Sequence, residues 1–133
     1  MEDWLAPYIG LPFLPHGRTR EGLDCWGLVR LVLAEHFGKQ LPSYADGYGS
    51  ITDRQTLGAL IPGHLASGWQ EVPAGQECSG DLILLRVLGV PMHVGLVIGS
   101  RRFLHIEQTI NSCIESYDTS PWARRVLGFW RPP

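Results

Sequence analysis

The sequence predicts an α+β domain in which one amphipathic helix, near the start of the chain, packs on an antiparallel sheet or small barrel built from the second half. Three observations predict it. Apolar residues recur at helical spacing in "CWGLVRLVLAEHFG", residues 25 to 38. From residue 69 onward, short runs rich in β-branched and aromatic residues are separated by Gly, Pro, Ser or Asp. Helical and strand patterns do not alternate, which argues against a parallel βαβ sheet.

Along the chain, an opening loop leads to that helix. Leu28, Val29, Val32, Leu33 and Phe37 form its buried stripe, Asp24 is its N-cap and Gly38 its stop. His36 near its end is placed to favour the helix dipole. "KQLPSYADGYG" (39 to 49) is rich in turn formers, and "TDRQTLGALIPGHLASG" (52 to 68) suggests one short helix ended by Pro62 and a second after it, with His64 in a loop. The strands expected next are "WQEV", "DLILLRV", "MHVGLVIG", "FLHIEQ", "CIESY" and "VLGFWR". Asp81, after Gly80, reads as turn chemistry at a strand entrance.

With 133 residues, 44% hydrophobic and 18% charged, the composition is that of one globular domain spanning 1–133. A net charge of -2 provides no basic footprint for a nucleic-acid backbone, so nucleic acid is not expected as a partner. The apolar run "LILLRVLGV" (82 to 90) is broken by Arg86 and is shorter than the roughly 20 residues a bilayer requires, so membrane insertion is not expected either. The acidic start "MEDWLAPYIGLPFLP" lacks the basic region and apolar stretch of a signal peptide, which leads to the expectation of folding in a cytosol. Cys25, Cys78 and Cys113 are an odd set without CxxC spacing, which argues against a disulfide framework or a structural zinc site.

Cys25 begins the helix, where unpaired N–H groups favour a thiolate. That placement predicts a lowered pKa and alkylation faster than at Cys78 or Cys113. The plain alternative is a small buried core residue. His93 and His105 sit on consecutive apolar strands. If Gly95 pairs with His105, the two imidazoles share a face with Cβ atoms within about 7–8 Å. That register needs an odd number of residues in the turn, such as Gly99, Ser100 and Arg101, or an even loop with a bulge. A thiol, an imidazole to take its proton and a third group to orient the imidazole make a nucleophilic triad, and Cys25, His93 and His105 fit those roles. Zinc binding by the same three residues is a weaker reading, and no metal or cofactor is expected.

"DCWGLV", then "GDLILL", "HVGLVIG" and "FLHI" in that order resemble the NlpC/P60 cysteine peptidases over roughly residues 8 to 131. The resemblance implies a papain-like fold and cleavage of peptidoglycan stem peptides, with Cys25 as nucleophile, His93 as base and His105 as third member. The flanks "LPHGRTREGLDCWGLV", "WQEVPAGQECSGDLILL" and "VLGFWRP" are similar to the phage tail-assembly branch. That likeness implies a place at the tail tip of a virion, with other tail-tip or hub proteins as partners and assembly in the host cytoplasm. Many family members carry a serine after the nucleophile and a tyrosine about a dozen residues before it; here Trp26 and Phe13 stand there. The resemblance then leaves the oxyanion to the Cys25 backbone N–H with His16 as a second donor, and gives Asp24 a part in substrate binding. Its alternative is a structural tail-tip module with vestigial or no peptidase activity.

Overall fold

The structure is a computed structural model that describes residues 3–41, 68–87, 90–119 and 121–133. The helices expected between 52 and 68, and His64, lie outside the described residues up to 67. Helix α1 spans Cys25–Glu35, and the Asp24 carboxylate caps it by accepting from the Gly27 N–H at 2.8 Å. The chain leaves the helix through Gly38, whose φ of +68° suits a residue without Cβ, and the Lys39 N–H returns to the Leu33 carbonyl at 2.9 Å. His36 is the C-cap, and its ring stacks on Trp4 at 4.0 Å.

The expected opening loop is more structured than its sequence suggests. A 3-10 helix covers Asp3–Tyr8, and a two-stranded hairpin joins β1 (Arg18–Thr19) to β2 (Gly22–Leu23). Both are too short to leave a periodic signal. Ser112 ties the N-terminal arm to the sheet: its Oγ donates to the Tyr8 carbonyl at 2.6 Å and accepts from the Leu11 N–H at 2.8 Å. This arm covers the edge of the strand that carries Ser112, which would otherwise expose unpaired backbone groups.

The six expected strands form one antiparallel sheet: β3 (Gln70–Val72), β4 (Leu82–Val87), β5 (Val90–Gly99), β6 (Arg102–Glu107), β7 (Ile110–Ser116) and β8 (Val126–Arg131), in the order β3-β8-β4-β5-β6-β7. The central strands are buried on both faces. Leu82, Leu84, Val94, Leu96, Ile98, Leu104 and Ile106 meet Leu28, Val29, Val32 and Leu33 of α1. Ile83, Leu85, Val97, Phe103 and Phe129 form a second core with Tyr117 and Trp122. Two-sided burial is why "LILL" is continuously apolar rather than alternating. Arg131 on β8 closes the far end with a two-point bond to Asp81, 2.9 Å to each oxygen.

Ser100 and Arg101 turn the β5–β6 hairpin with φ of 53° and 56°. The loop has two residues rather than the three expected, and a register shift between Val97 and Gly99 makes up the difference. Leu96 pairs with Leu104 and Val97 with Phe103, so continuing the register sets Gly95 opposite His105 as expected. Gly95 is required there, because a Cβ would come within 2.7 Å of the Phe103 ring and 2.9 Å of the Leu104 carbonyl.

Candidate active site

Cys25 is the first residue of α1 and is 6% exposed. Its position depends on a close approach: a Cβ at Gly27 would meet the Gly17 carbonyl at 2.1 Å, so only glycine lets the first helical turn lie against the β1–β2 hairpin. Arg18 bonds both the Gly17 carbonyl and Asp24, each at 2.8 Å. The expectation of a lowered thiol pKa is corrected. Burial, reinforced by the Asp24 carboxylate, pushes the Cys25 thiol up to about 12, against the backbone N–H groups of Val94 and Trp26 and the Arg18 guanidinium. Desolvation of the charged form outweighs the helix terminus.

The Val94 N–H places the thiol against β5, one residue from His93. His93 is 6% exposed; its Nε2 lies 3.0 Å from His105 Nδ1, and its ring stacks on Trp122 at 5.5 Å. Burial, with the charge of His105 as the lesser cause, holds His93 down to about 3. His105 is sandwiched against Phe103 at 4.3 Å, and its Nε2 lies 2.5 Å from Glu115 Oε2. Its pKa is also lowered, burial outweighing Glu115. The Trp122 indole N–H donates to the same Glu115 oxygen at 3.1 Å.

The structure thus brings His93 and His105 together and adds Glu115 and Trp122, which sequence reasoning missed. The signal for Glu115 lies in the period of two along β7: Cys113 pairs with His105, so Glu115 falls on the same face. Trp122 sits between strands, where no periodicity announces it. Among the described residues, no hydrogen bond joins Cys25 directly to His93.

Of the other candidates, Asp24 is 1% exposed and engaged by Gly27 and Arg18. Phe13 bridges Leu23, two residues before the cysteine, and packs partly buried against the α1 core. His16 is half-buried ahead of β1 with φ of +60°. Trp26 is buried and faces Trp69 at 6.1 Å. Among the described residues, the metal-ligand types that converge are His105, Cys113 and Glu115, and not Cys25, His93 and His105. Burial and the carboxylates of Glu115 and Glu107 raise the Cys113 thiol, and burial with Glu115 raises Glu107.

Residues 10–131 match the sequence profile of the NlpC/P60 family. The chain belongs to the NlpC/P60 family. It is similar to the murein DD-endopeptidase MepS/murein LD-carboxypeptidase of Escherichia coli strain K12, 30% identical over 131 residues, covering 94% of this chain and 61% of that protein. It therefore spans less than two thirds of that relative's length. It is 26% identical to the probable endopeptidase NlpC of the same strain, covering 98% of this chain and 73% of the relative. Among solved structures, the NlpC/P60 domain of the peptidoglycan hydrolase SagA superposes with a TM-score of 0.60 at 21% identity, over 96% of this chain and 92% of that one. A Staphylococcus aureus NLP/P60-family protein similar to a lipoprotein gives 0.67 at 22% identity, over 97% and 39%. The fold is thus the papain-like α+β fold of the NlpC/P60 cysteine peptidases.

Proposed function

We propose that this NlpC/P60 chain is a cysteine endopeptidase that hydrolyses peptide bonds in peptidoglycan stem peptides, with Cys25 as nucleophile, His93 as base and His105 as the residue that orients it. The hydrogen-bonded row His93–His105–Glu115, with the Cys25 thiol held at the Val94 N–H one residue from His93, carries this reading. The donors in that row can be assigned in order. The indole N–H of Trp122 can only donate, so Glu115 Oε2 accepts, and the carboxylate also accepts from His105 Nε2–H. His105 Nδ1 is then bare and accepts from His93 Nε2–H. His93 keeps its free lone pair on Nδ1, the nitrogen a base requires.

In the cycle, His93 Nδ1 takes the Cys25 proton as sulfur attacks the scissile carbonyl, and the backbone N–H of Cys25 donates to the developing oxyanion. The imidazolium returns its proton to the leaving amine, and a water, deprotonated by His93, cleaves the thioester. The resting pair is a neutral thiol and a neutral imidazole. Both groups are already buried, so the proton moves only when the imidazole meets the thiol and the two charges stabilise each other as a pair. Digestion of purified peptidoglycan, with fragments read by mass, tests the reading: wild type releases new amino termini and Cys25→Ala does not. Equal release by both would overturn it.

The tail-like flanks support a finer placement at a phage tail tip, assembled in the host cytoplasm with tail hub proteins as partners. Mass spectrometry of purified virions tests it, and absence of the chain from tails would refute it. The buried thiol and Phe13 support a second reading, a structural tail-tip module with little turnover. That reading requires tails that assemble normally around a chain that releases no fragment.

A further inference from the structure

We infer that His105, Cys113 and Glu115 form a binding site for a divalent transition-metal ion of the zinc type, and that occupation of this site switches the histidine pair off. The ligands follow from strand geometry. Cys113 stands directly opposite His105 in the β6–β7 register, and Glu115 lies two residues further along β7 on the same face. His105 Nε2 and Cys113 Sγ are 3.8 Å apart, and all three donor atoms lie within 4.8 Å of one another. Bonds of roughly 2.0–2.3 Å to a tetrahedral zinc set ligand atoms about 3.3–3.8 Å apart. The nitrogen–sulfur edge fits already. Glu115 stands closer, at 2.5 Å from His105, and also accepts from Trp122, so an ion requires its half-exposed side chain to step back by about 1 Å, with a fourth position left to water. Imidazole with thiolate selects zinc-like ions over magnesium or calcium. The carboxylates of Glu107 and Glu115 add a negative field around the thiol, which a cation relieves.

The effect on the base follows from proton positions, and this part rests on the peptidase reading above. Metal on His105 Nε2 takes the lone pair there, so the His105 proton must sit on Nδ1. Nδ1–H then donates to His93 Nε2, which becomes the acceptor, and the His93 proton moves to Nδ1. That nitrogen can no longer accept a proton from Cys25. The Cys113 thiol releases its proton to solvent as the metal–sulfur bond forms, and the two imidazoles keep one proton each. The ion thus reverses the direction of the whole row without touching Cys25 or His93.

Cobalt(II) is the probe, since its thiolate complexes absorb in the near ultraviolet. In a Cys25→Ser/Cys78→Ser background the only thiol is Cys113. One equivalent of cobalt should produce the charge-transfer band, and a further Cys113→Ser should abolish it. No band, or a band that survives Cys113→Ser, overturns the site. In the unaltered protein, zinc should protect Cys113 from alkylation, read by peptide mass; protection at Cys25 instead would overturn it as well. Where the protein hydrolyses peptidoglycan, zinc should inhibit, and Cys113→Ser should keep the basal rate while raising the inhibitory zinc concentration at least about tenfold. Binding without inhibition overturns the reversal of the row. An inactive protein that still binds cobalt refutes the peptidase reading and leaves the site standing.

Discussion

Acid should unfold this protein through His93. The folded state holds that imidazole neutral at 6% exposure, with its pKa taken from 6.5 to about 3 by burial and then by His105. The unfolded chain accepts a proton near 6.5 and the folded chain refuses it until near 3, so between those values the unfolded state binds more protons. Stability is therefore complete above about pH 6.5 and falls as the solution is acidified through that window. The two titrations together give a loss of about 2 kcal/mol at pH 5 and about 5 kcal/mol below pH 3. Against a typical total of about 5–15 kcal/mol, the first figure is already large.

His105 adds to this loss, since its pKa is lowered too. Glu107, raised by burial and Glu115, works in the opposite direction, so the comparison must be with a variant rather than with theory. Urea unfolding followed by tryptophan fluorescence, at half-unit steps from pH 8 to 4.5, is the assay, because Trp122 lies on the His93 ring. Wild type should lose about 2 kcal/mol more than His93→Gln between pH 7.5 and 5. Parallel curves, or an NMR titration of His93 with a midpoint above pH 5, would refute the reasoning.

Three further outcomes are expected. Cys25, held at about 12, should alkylate more slowly at pH 7 than exposed Cys78, and Asp24→Asn should speed it by removing a charge that raises the thiol; fastest labelling at Cys25 in the resting protein would contradict this. On the proposed peptidase reading, Glu115→Gln should lower kcat by about 10–100-fold with KM nearly unchanged, because a positioning carboxylate acts on the proposed base rather than on substrate, and an equal rise in KM would argue against that role. Ser112→Ala should cost about 1–3 kcal/mol by leaving the Leu11 N–H and the Tyr8 carbonyl without their partner, and an unchanged melting temperature would show that water replaces the hydroxyl.

Much of this architecture is legible because it is local. Leu28, Val29, Val32 and Leu33 mark the helix by spacing, Asp24 and Gly38 mark its ends, and the alternation through His93, Gly95 and Val97 sets which side chains share a face. The facing of His105 follows from the same count, although a bulge rather than a third loop residue supplies the odd step. What is not legible depends on partners distant in sequence or on water. The helix terminus argues for a thiolate at Cys25, but the cost of burying that charge is set by β5, which meets the helix only in the folded chain. Trp122 reaches Glu115 from a segment without regular structure.

Glu115 shows why such a residue matters once found. Two imidazoles alone can point their protons either way along the row, and only one direction leaves a lone pair on His93 Nδ1 for the nucleophile proposed above, Cys25. The direction is chosen at the far end, where a carboxylate that accepts from both Trp122 and His105 makes His105 a donor outward and an acceptor inward. A cation at the same nitrogen makes the opposite choice. On the proposed peptidase reading, control of His93 rests on what occupies His105 Nε2, a proton held by Glu115 or the inferred metal held with Cys113, and the switch needs only proton shifts and a step of the Glu115 side chain.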